Sequence, residues 1–252
     1  VGSTFKSNIQ EISKRYEDLF EYVDNDSDDN LGACLQITAE HYPEIVEELR
    51  GISDGAGIRF DRLFAMNMRA EIDALKAQSK EENPGCSAIH LIAEDKKYLL
   101  QNEDASAPYV GNMYVVKATT PKGITFVGLC YPGIALANGP AITSAGIMQT
   151  NNAISGHRYK KGIPRTIVNR AMLEAPTLND AVRIAAHPAR ANSYHHNIGW
   201  VENQRLLSVE VVPDDYAVHE AETTYVHTNH MILKPTCELP CDLEYVKKSS
   251  LA

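Results

Sequence analysis

The stretch NPGCSAIHL, residues 83–91, marks the point where the character of the chain changes. A proline and a glycine stand directly before Cys86 and fix a turn. The run after the cysteine carries the apolar and β-branched residues of a strand. We therefore expect a helical part before this turn and a sheet that begins beside Cys86.

The segment before the turn has helical periodicity. Apolar residues of segment 5–23 recur at spacings of three and four, which lines one face of an amphipathic helix. The same period continues over 35–49, through Pro43, and over 60–75. Residues 51–57, GISDGAG, are rich in glycine and predict a turn. The first 80 or so residues are thus predicted to be mainly helical.

The segment after the turn alternates short strands with one pair of helices. A hairpin is predicted around Glu94 and Asp95, and the later strands are predicted at 113–118, 124–129, 142–149, 196–201, 206–212 and 223–227. The helices are predicted at 164–174 and 178–187, the second with Thr177 and Asp180 close to a capping box. This order indicates an α+β fold with helices layered on a sheet sandwich.

The composition argues against two classes of binding partner, nucleic acids and membranes. The 252 residues include 33 acidic and 24 basic side chains, a formal charge of -9. Since no Lys/Arg cluster is present to hold a phosphate backbone, we expect no nucleic acid partner. No apolar stretch approaches the roughly 18 residues that a membrane span needs, so we expect no membrane partner. Homo-oligomers remain possible.

The five cysteines predict neither a disulfide framework nor a metal site. Their number is odd and the chain is large enough to fold without cross-links, which favours a reducing, cytoplasmic setting. Cys237 and Cys241 resemble half a zinc site, but no second Cys/His pair stands at ligand spacing. We predict no metal and no cofactor, and interpret Cys34 and Cys130 as small buried hydrophobic residues.

Cys86 differs from the other cysteines in its surroundings. If the Gly85–Cys86 bond were cut, one residue would carry both a thiol and a free α-amine. That amine has an ordinary pKa of about 7.7 to 8.0, which suits a general base at neutral pH. Nine histidines are also present, so a Cys–His pair stays open as an alternative.

Three polar clusters offer partners for Cys86. QNEDAS, residues 101–106, follows the hairpin and returns beside the cysteine, so Asp104 is a candidate to hold the amine, with Asn102 close by. The clusters TNN, 150–152, and YVHTNH, 225–230, end strands where asparagine amides can donate to an oxyanion. On spacing alone, each cluster is equally typical of a polar strand end or a turn.

The motifs in order resemble a known family. They are RGISDGAG, FDRLFAMNMRAEI, PGCSAIHL, QNED, SAGIMQTNNAI, PRTIVNRAMLEAPTLNDAV and YVHTNH. This series is similar to the acyl-coenzyme A:6-aminopenicillanate acyltransferase (isopenicillin N acyltransferase) family of the N-terminal-nucleophile hydrolase superfamily, which is related to choloylglycine hydrolase. The resemblance implies a four-layer αββα sandwich, made as an inactive precursor.

The resemblance also implies roles for individual residues. Cys86 would cut its own bond to Gly85, which makes residues 1–85 a helical small subunit that stays bound to the 86–252 sandwich domain. Cys86 would then form a thioester with a small amide or acyl substrate. By position, Asp104 matches the aspartate near the amine and Asn229 the asparagine of the oxyanion hole. Asn152, Asn102 and His230 are the supporting or substrate-side residues.

The chain departs from the family pattern at two places. Family members carry NWD where this chain has Asn102, Glu103 and Asp104, so a pocket aromatic is missing. The family pattern also continues past Ala252 with further strands and an active-site arginine, so we expect a fragment or a chain that has lost this arginine.

Two other functions stay open: a noncatalytic binding relative, and a Cys–His hydrolase that is not cut. Within the leading hypothesis, amide hydrolysis is favoured over acyl transfer, because transfer requires that water be excluded.

Overall fold

The computed structural model describes residues 1–75, 85–154 and 159–238. Most of the predicted break at 79–85 and Cys241 of the cysteine pair lie outside these residues. The described chain combines helices with antiparallel sheets, which confirms the α+β class.

The N-terminal part is helical, as predicted. Its helices are α1 (Lys6–Ser13), α2 (Glu17–Asp24), α3 (Asn30–His41), α4 (Pro43–Ala56), α5 (Phe60–Asn67) and α6 (Arg69–Leu75), with a 3₁₀ turn at Lys14–Tyr16. The apolar stripe of the first predicted helix is buried across α1, the turn and α2. Segments predicted as single helices are therefore broken into shorter ones that share one buried face.

Two predictions in this part were wrong. The helix predicted through Pro43 is divided there, because a proline lacks an N–H and fits the first turn of a helix, where α4 begins. The turn predicted at 51–57 is the last part of α4, and only Gly57 leaves the helix, with φ 69°. Gly55 serves packing instead, since a Cβ there would lie 2.5 Å from the Ser3 nitrogen.

The strands form two antiparallel sheets. The small sheet has the order β10-β1-β2 and the large sheet the order β3-β4-β5-β6-β7-β8-β9. The strands are β1 (Cys86–Ala93), β2 (Lys96–Glu103), β3 (Tyr114–Thr119), β4 (Thr125–Cys130), β5 (Ala141–Thr143), β6 (Ile147–Asn152), β7 (Tyr194–Trp200), β8 (Arg205–Val211), β9 (Tyr216–Glu220) and β10 (Tyr225–His227).

Most predicted strands are present, with two corrections. The strand predicted at 142–149 is the hairpin of β5 and β6, because Gly146 has φ 79° and turns the chain. Strand β9 was not predicted; it is a short edge strand paired only with β8 among the described strands.

Helices cover one face of the large sheet. Helices α7 (Arg165–Met172) and α8 (Leu178–Ala185) pack on β6, β7 and β8 through a buried cluster that includes Met172, Leu178, Ile198 and Val209. The predicted cap of α8 is confirmed, with the Asp180 N–H donating to Thr177 Oγ1 at 3.2 Å. Helices α1–α6 share a second cluster with α7, β3 and β4.

The small sheet packs against the other face of the large sheet. The described residues thus form three layers, and the fourth layer of the implied sandwich stays a prediction. Between the sheets the contacts are polar: His90 Nε2 lies 3.0 Å from Asn197 Oδ1, and His227 Nε2 lies 2.8 Å from Glu210 Oε1. None of the described helices combines the length and apolar character that crossing a membrane requires.

Candidate functional site

Cys86 is the first residue of β1 and its thiol is half-buried. Ala88 and His90 follow it at every second position, and His90 reaches the large sheet. Since side chains alternate along a strand, the Cys86 thiol points into the space between the sheets.

The peptide bond before Cys86 is held at both of its polar atoms. The Gly85 carbonyl accepts a hydrogen bond from the Asp104 N–H at 3.0 Å. The Cys86 N–H donates to Asn229 Oδ1 at 2.8 Å. Strand β2 and the segment after β10 therefore fix this bond from opposite sides.

Asn229 is fully buried beside the cysteine. Its Nδ2 donates to the Ala153 carbonyl at 2.8 Å. The Asn229 side chain and the Ala153 main chain also hydrogen-bond the Cys86 thiol, and both bonds act to lower its pKa. The thiol is thus surrounded by amide groups from the ends of β6 and β10.

The net effect of the surroundings is nevertheless to raise the pKa of the Cys86 thiol. Burial raises the pKa of the Cys86 thiol to about 12, and the negative charges of Glu103 and Asp104 act in the same direction. With its peptide bond intact, the cysteine is therefore held as a neutral thiol at neutral pH. A base is needed before the sulfur can act as a nucleophile.

Asp104 and Asn102 lie beside this bond on the exposed side of β2. Asn102 pairs with Ser87, and its Nδ2 donates to Asp104 Oδ1 at 2.9 Å. The Asp104 main chain contacts the bond through the Gly85 carbonyl, as described above. Whether the Asp104 carboxylate holds a free amine on Cys86 stays a prediction.

Asn152 and His230 lie in the same region but have protein partners. Asn152 is fully buried between the sheets, where its Oδ1 accepts from Asn197 at 2.8 Å and its Nδ2 lies 3.4 Å from the His227 carbonyl. His230 Nδ1 lies 3.2 Å from Thr228 Oγ1, and burial lowers the pKa of its ring. Their roles toward a substrate stay predictions.

Glu103 lies beside Cys86, although the sequence analysis noted it only as the replacement of a pocket aromatic and not as a candidate site residue. It is paired directly with Cys86 in the β1–β2 ladder, so both side chains are on the same face of the small sheet. The signal was present, because a hairpin centred on Glu94 and Asp95 brings these two residues opposite each other.

Glu210 is a second such residue, and it fixes the segment that carries Asn229. This fully buried carboxylate accepts from His227 Nε2 at 2.8 Å and from the Ile232 N–H at 2.7 Å. It also accepts from the Leu233 N–H at 3.2 Å and from the Thr236 hydroxyl. Nothing local in the sequence indicated these long-range contacts.

In the part of the chain that the structure describes, no three His, Cys, Asp or Glu side chains are arranged to hold a metal ion. The described cysteines, among them Cys34 and Cys130, are free thiols. Cys34 and Cys130 are buried, in agreement with their interpretation as core residues.

Comparison with known proteins identifies relatives that are enzymes. A Drosophila melanogaster β-alanyl-dopamine/carcinine hydrolase is 30% identical over 192 residues, which cover 69% of this chain and 50% of that protein. The 40 kDa form of acyl-coenzyme A:6-aminopenicillanic-acid-acyltransferase from Emericella nidulans is 23% identical over 200 residues, 79% of this chain and 55% of that protein. The chain spans about half the length of these curated relatives.

The family profile described as acyl-coenzyme A:6-aminopenicillanic acid acyl-transferase matches residues 91–245, which is more than half of the chain. The match confirms the resemblance inferred from the motifs, and it begins after Cys86. The chain belongs to the acyl-coenzyme A:6-aminopenicillanic acid acyl-transferase family.

Proposed function

We propose that this chain is a self-processing amide hydrolase with Cys86 as its nucleophile. The observation that carries the proposal is the set of contacts around the Gly85–Cys86 peptide bond. The Asp104 N–H donates to its carbonyl, Asn229 accepts from its N–H, and amide groups lie at the Cys86 thiol. Membership of a family with acyltransferase and amide hydrolase members agrees with this chemistry.

The first reaction is cleavage of the chain itself. The Cys86 sulfur attacks the Gly85 carbonyl carbon, the C–N bond breaks, and the nitrogen takes up the thiol proton. The product is a thioester between Gly85 and the sulfur. Water then hydrolyses the thioester, which leaves a carboxylate on Gly85 and a free amine and a thiol on Cys86. No external reactant besides water is needed.

The second reaction is turnover of substrate. The new α-amine takes the thiol proton, and the sulfur attacks the carbonyl carbon of a small amide. Asn229 Nδ2 and the Ala153 main chain would then stabilise the oxyanion. The C–N bond of the substrate breaks, its amine leaves with a proton, and water hydrolyses the thioester.

A histidine is a weaker candidate for the base. His90 Nε2 contacts Asn197, and His227 uses both ring nitrogens for Glu210 and the Thr228 carbonyl. His90 Nε2 and both nitrogens of His227 are therefore engaged with groups other than the thiol. A free amine on Cys86 needs no such partner.

The substrate class follows from the relatives. The Drosophila hydrolase is named for β-alanyl-dopamine and carcinine, and the Emericella enzyme for acyl transfer from coenzyme A. We propose hydrolysis of a small amide for this chain, because it needs only water after the thioester forms. In acyl transfer an amine would attack the same thioester.

The mass of the purified full-length protein tests the proposal. Self-processing predicts two fragments that meet between Gly85 and Cys86 and copurify, with amide hydrolysis by the cut form. A stable single chain that hydrolyses amides would favour a Cys–His enzyme. An uncut chain without activity would favour a binding protein of the same fold.

A further inference from the structure

We propose that Glu103 determines substrate specificity by binding a positively charged amine on the acyl part of the substrate. The inference rests on the proposed function of Cys86 and adds a substrate class to it. The acyl group would be a short aminoacyl chain, with its carbonyl at the thiol and its ammonium at the carboxylate.

The first observation is the direct pairing of Glu103 with Cys86. Side chains of directly paired residues in antiparallel strands share one face and have Cβ atoms about 5 Å apart. The proximity is also electrostatic, because the Glu103 charge acts on the Cys86 thiol more strongly than the Asp104 charge does. A substrate whose carbonyl is at the sulfur therefore places its acyl chain near this carboxylate.

The second observation is a buried acceptor on the same strand face. Gln101 donates from Nε2 to Glu103 Oε2 at 2.9 Å and to the Asn151 carbonyl at 2.7 Å, which uses both hydrogens of its amide. Its Oε1 is buried and has no hydrogen-bond donor among the described residues. An ammonium has three N–H donors, so it can satisfy both the carboxylate and this oxygen.

The third observation is the absence of a competing cation. Among the described residues, Glu103 forms no ion pair with a lysine or arginine, and its polar neighbours are Gln101 and the Tyr131 hydroxyl. Burial raises the pKa of Tyr131, and the charge of Glu103 raises it further, which keeps the hydroxyl neutral. The carboxylate is therefore available for a charged substrate group.

Two coumarin amides with matched acyl groups test the proposal. β-Alanyl and butyryl amides of 7-amino-4-methylcoumarin have chains of equal length and differ in an ammonium against a methyl group. We expect the protein to prefer the β-alanyl amide by at least tenfold in kcat/KM, which corresponds to about 1.4 kcal/mol. Glu103→Gln should bring the two kcat/KM values to within about threefold of each other, mainly through a higher KM for the β-alanyl amide. The readout is this ratio, because removing a charge beside the thiol changes the rate for both amides.

The matched control is Glu202→Gln, which removes the same charge from the turn between β7 and β8. This turn is at the far end of β7, about 20 Å along the strand from the end that lies near the site. The control should keep the β-alanyl preference. Equal rates for both amides in the unmodified protein, or equal losses for both in Glu103→Gln, would overturn the proposal and leave the amide hydrolase itself intact.

A second experiment needs no turnover. Aminoethyl and ethyl methanethiosulfonate are a cationic and a neutral thiol reagent, and peptide mass spectrometry measures their rates at Cys86. We expect the cationic reagent to be favoured, and Glu103→Gln to reduce the ratio of rates at least threefold while Glu202→Gln preserves it. An unchanged ratio would refute the role of Glu103 even if the protein hydrolyses no amide, whereas failure of turnover with a reduced ratio would refute only the hydrolase.

Discussion

The His227 ring donates from Nε2 to Glu210 Oε1 at 2.8 Å, in a space where neither side chain is accessible to more than 1%. The other ring nitrogen faces the Thr228 carbonyl at 2.8 Å, so both nitrogens face acceptors. Because His227 ends β10 two residues before Asn229, this contact connects β8 to the segment that holds the Cys86 N–H. The His195 ring stacks on His227 at 3.4 Å between centroids and completes the contact.

Replacing the buried carboxylate should therefore damage both stability and catalysis. Glu210→Gln keeps the shape of the side chain but loses the charge and turns one acceptor into a donor that faces main-chain N–H groups. We expect the free energy of unfolding to fall by about 3 kcal/mol, because several buried donors lose a charged acceptor. Urea unfolding measures this change.

The catalytic part of the same prediction concerns the fraction of Glu210→Gln that remains folded. In that fraction we expect a lower kcat and slower self-cleavage, because the segment that Glu210 holds no longer positions Asn229. KM should change little, because the residues that bind the acyl group are not altered. Glu202→Gln provides the charge-matched control. A variant that is less stable but has normal kcat per folded molecule would show that Glu210 is important only for folding.

Asn229 offers two functional groups that can be separated by substitution. Asn229→Asp keeps an oxygen to accept from the Cys86 N–H but loses the Nδ2 donor, and Asn229→Ala loses both. We expect kcat to fall about 10²- to 10³-fold in both variants, since each lacks an oxyanion donor. Steady-state kinetics on the cut form would show it.

The comparison between these variants is informative for self-cleavage as well. If the hydrogen bond from the Cys86 N–H to residue 229 positions the Gly85–Cys86 bond, Asn229→Asp should be cut faster than Asn229→Ala. The control is Asn203→Ala, which changes an exposed residue in the β7–β8 turn. This variant should be cut and should hydrolyse amides at the rates of the unmodified protein. Normal kcat in Asn229→Ala would exclude this amide from the reaction.

Cys86 is expected to be required for both reactions. Cys86→Ala should remain one uncut polypeptide without hydrolytic activity, because it has no sulfur to attack Gly85 or a substrate. Intact mass and a hydrolysis assay detect the two losses, and Cys237→Ala, a free thiol elsewhere, should lose neither. Normal cleavage of the Cys86→Ala chain would remove this residue from the mechanism.

The local part of this site was predictable from the sequence. The proline-glycine turn and the two-residue alternation after it placed Cys86 at the start of a strand, and the hairpin is observed around Glu94 and Asp95. The helix cap at Thr177 is likewise a short-range signal that the structure confirms. Each of these depends on residues within a few positions of one another.

The long-range part was not predictable from spacing. The contact of Cys86 with Asn229 joins residues 143 positions apart. It depends on the pairing of β10 with β1, two strands that are separated in the sequence by all strands of the large sheet. Spacing made Asn229 one of several asparagines at strand ends that could donate to an oxyanion, and only the family resemblance singled it out. The Glu210 contacts had no sequence signal, because β8 is buried on both faces and its sequence does not show what a single buried carboxylate binds.

Three buried histidines should make the fold sensitive to acid. Burial lowers the pKa of His90 to about 4 and of His196 to about 3, and that of His195 well below its ordinary value of 6.5. Below pH 6.5 the unfolded chain binds protons that the folded chain does not. Stability is therefore fully present above pH 6.5 and is lost as the pH falls toward the folded values, by up to about 1.4 kcal/mol per pH unit for each histidine.

His196→Leu separates this effect from the rest of the acid response. Neither ring nitrogen of His196 has a hydrogen-bond partner among the described residues, so an apolar side chain of similar size removes an uncompensated polar group. Urea unfolding between pH 7 and pH 4.5 should show unchanged or higher stability at pH 7 and a slope reduced by about one proton. The control His41→Gln changes an exposed histidine and should keep the original slope. If the stability of His196→Leu instead depends on pH in the same way as that of the unmodified protein, His196 is not the neutral, buried ring that the structure shows.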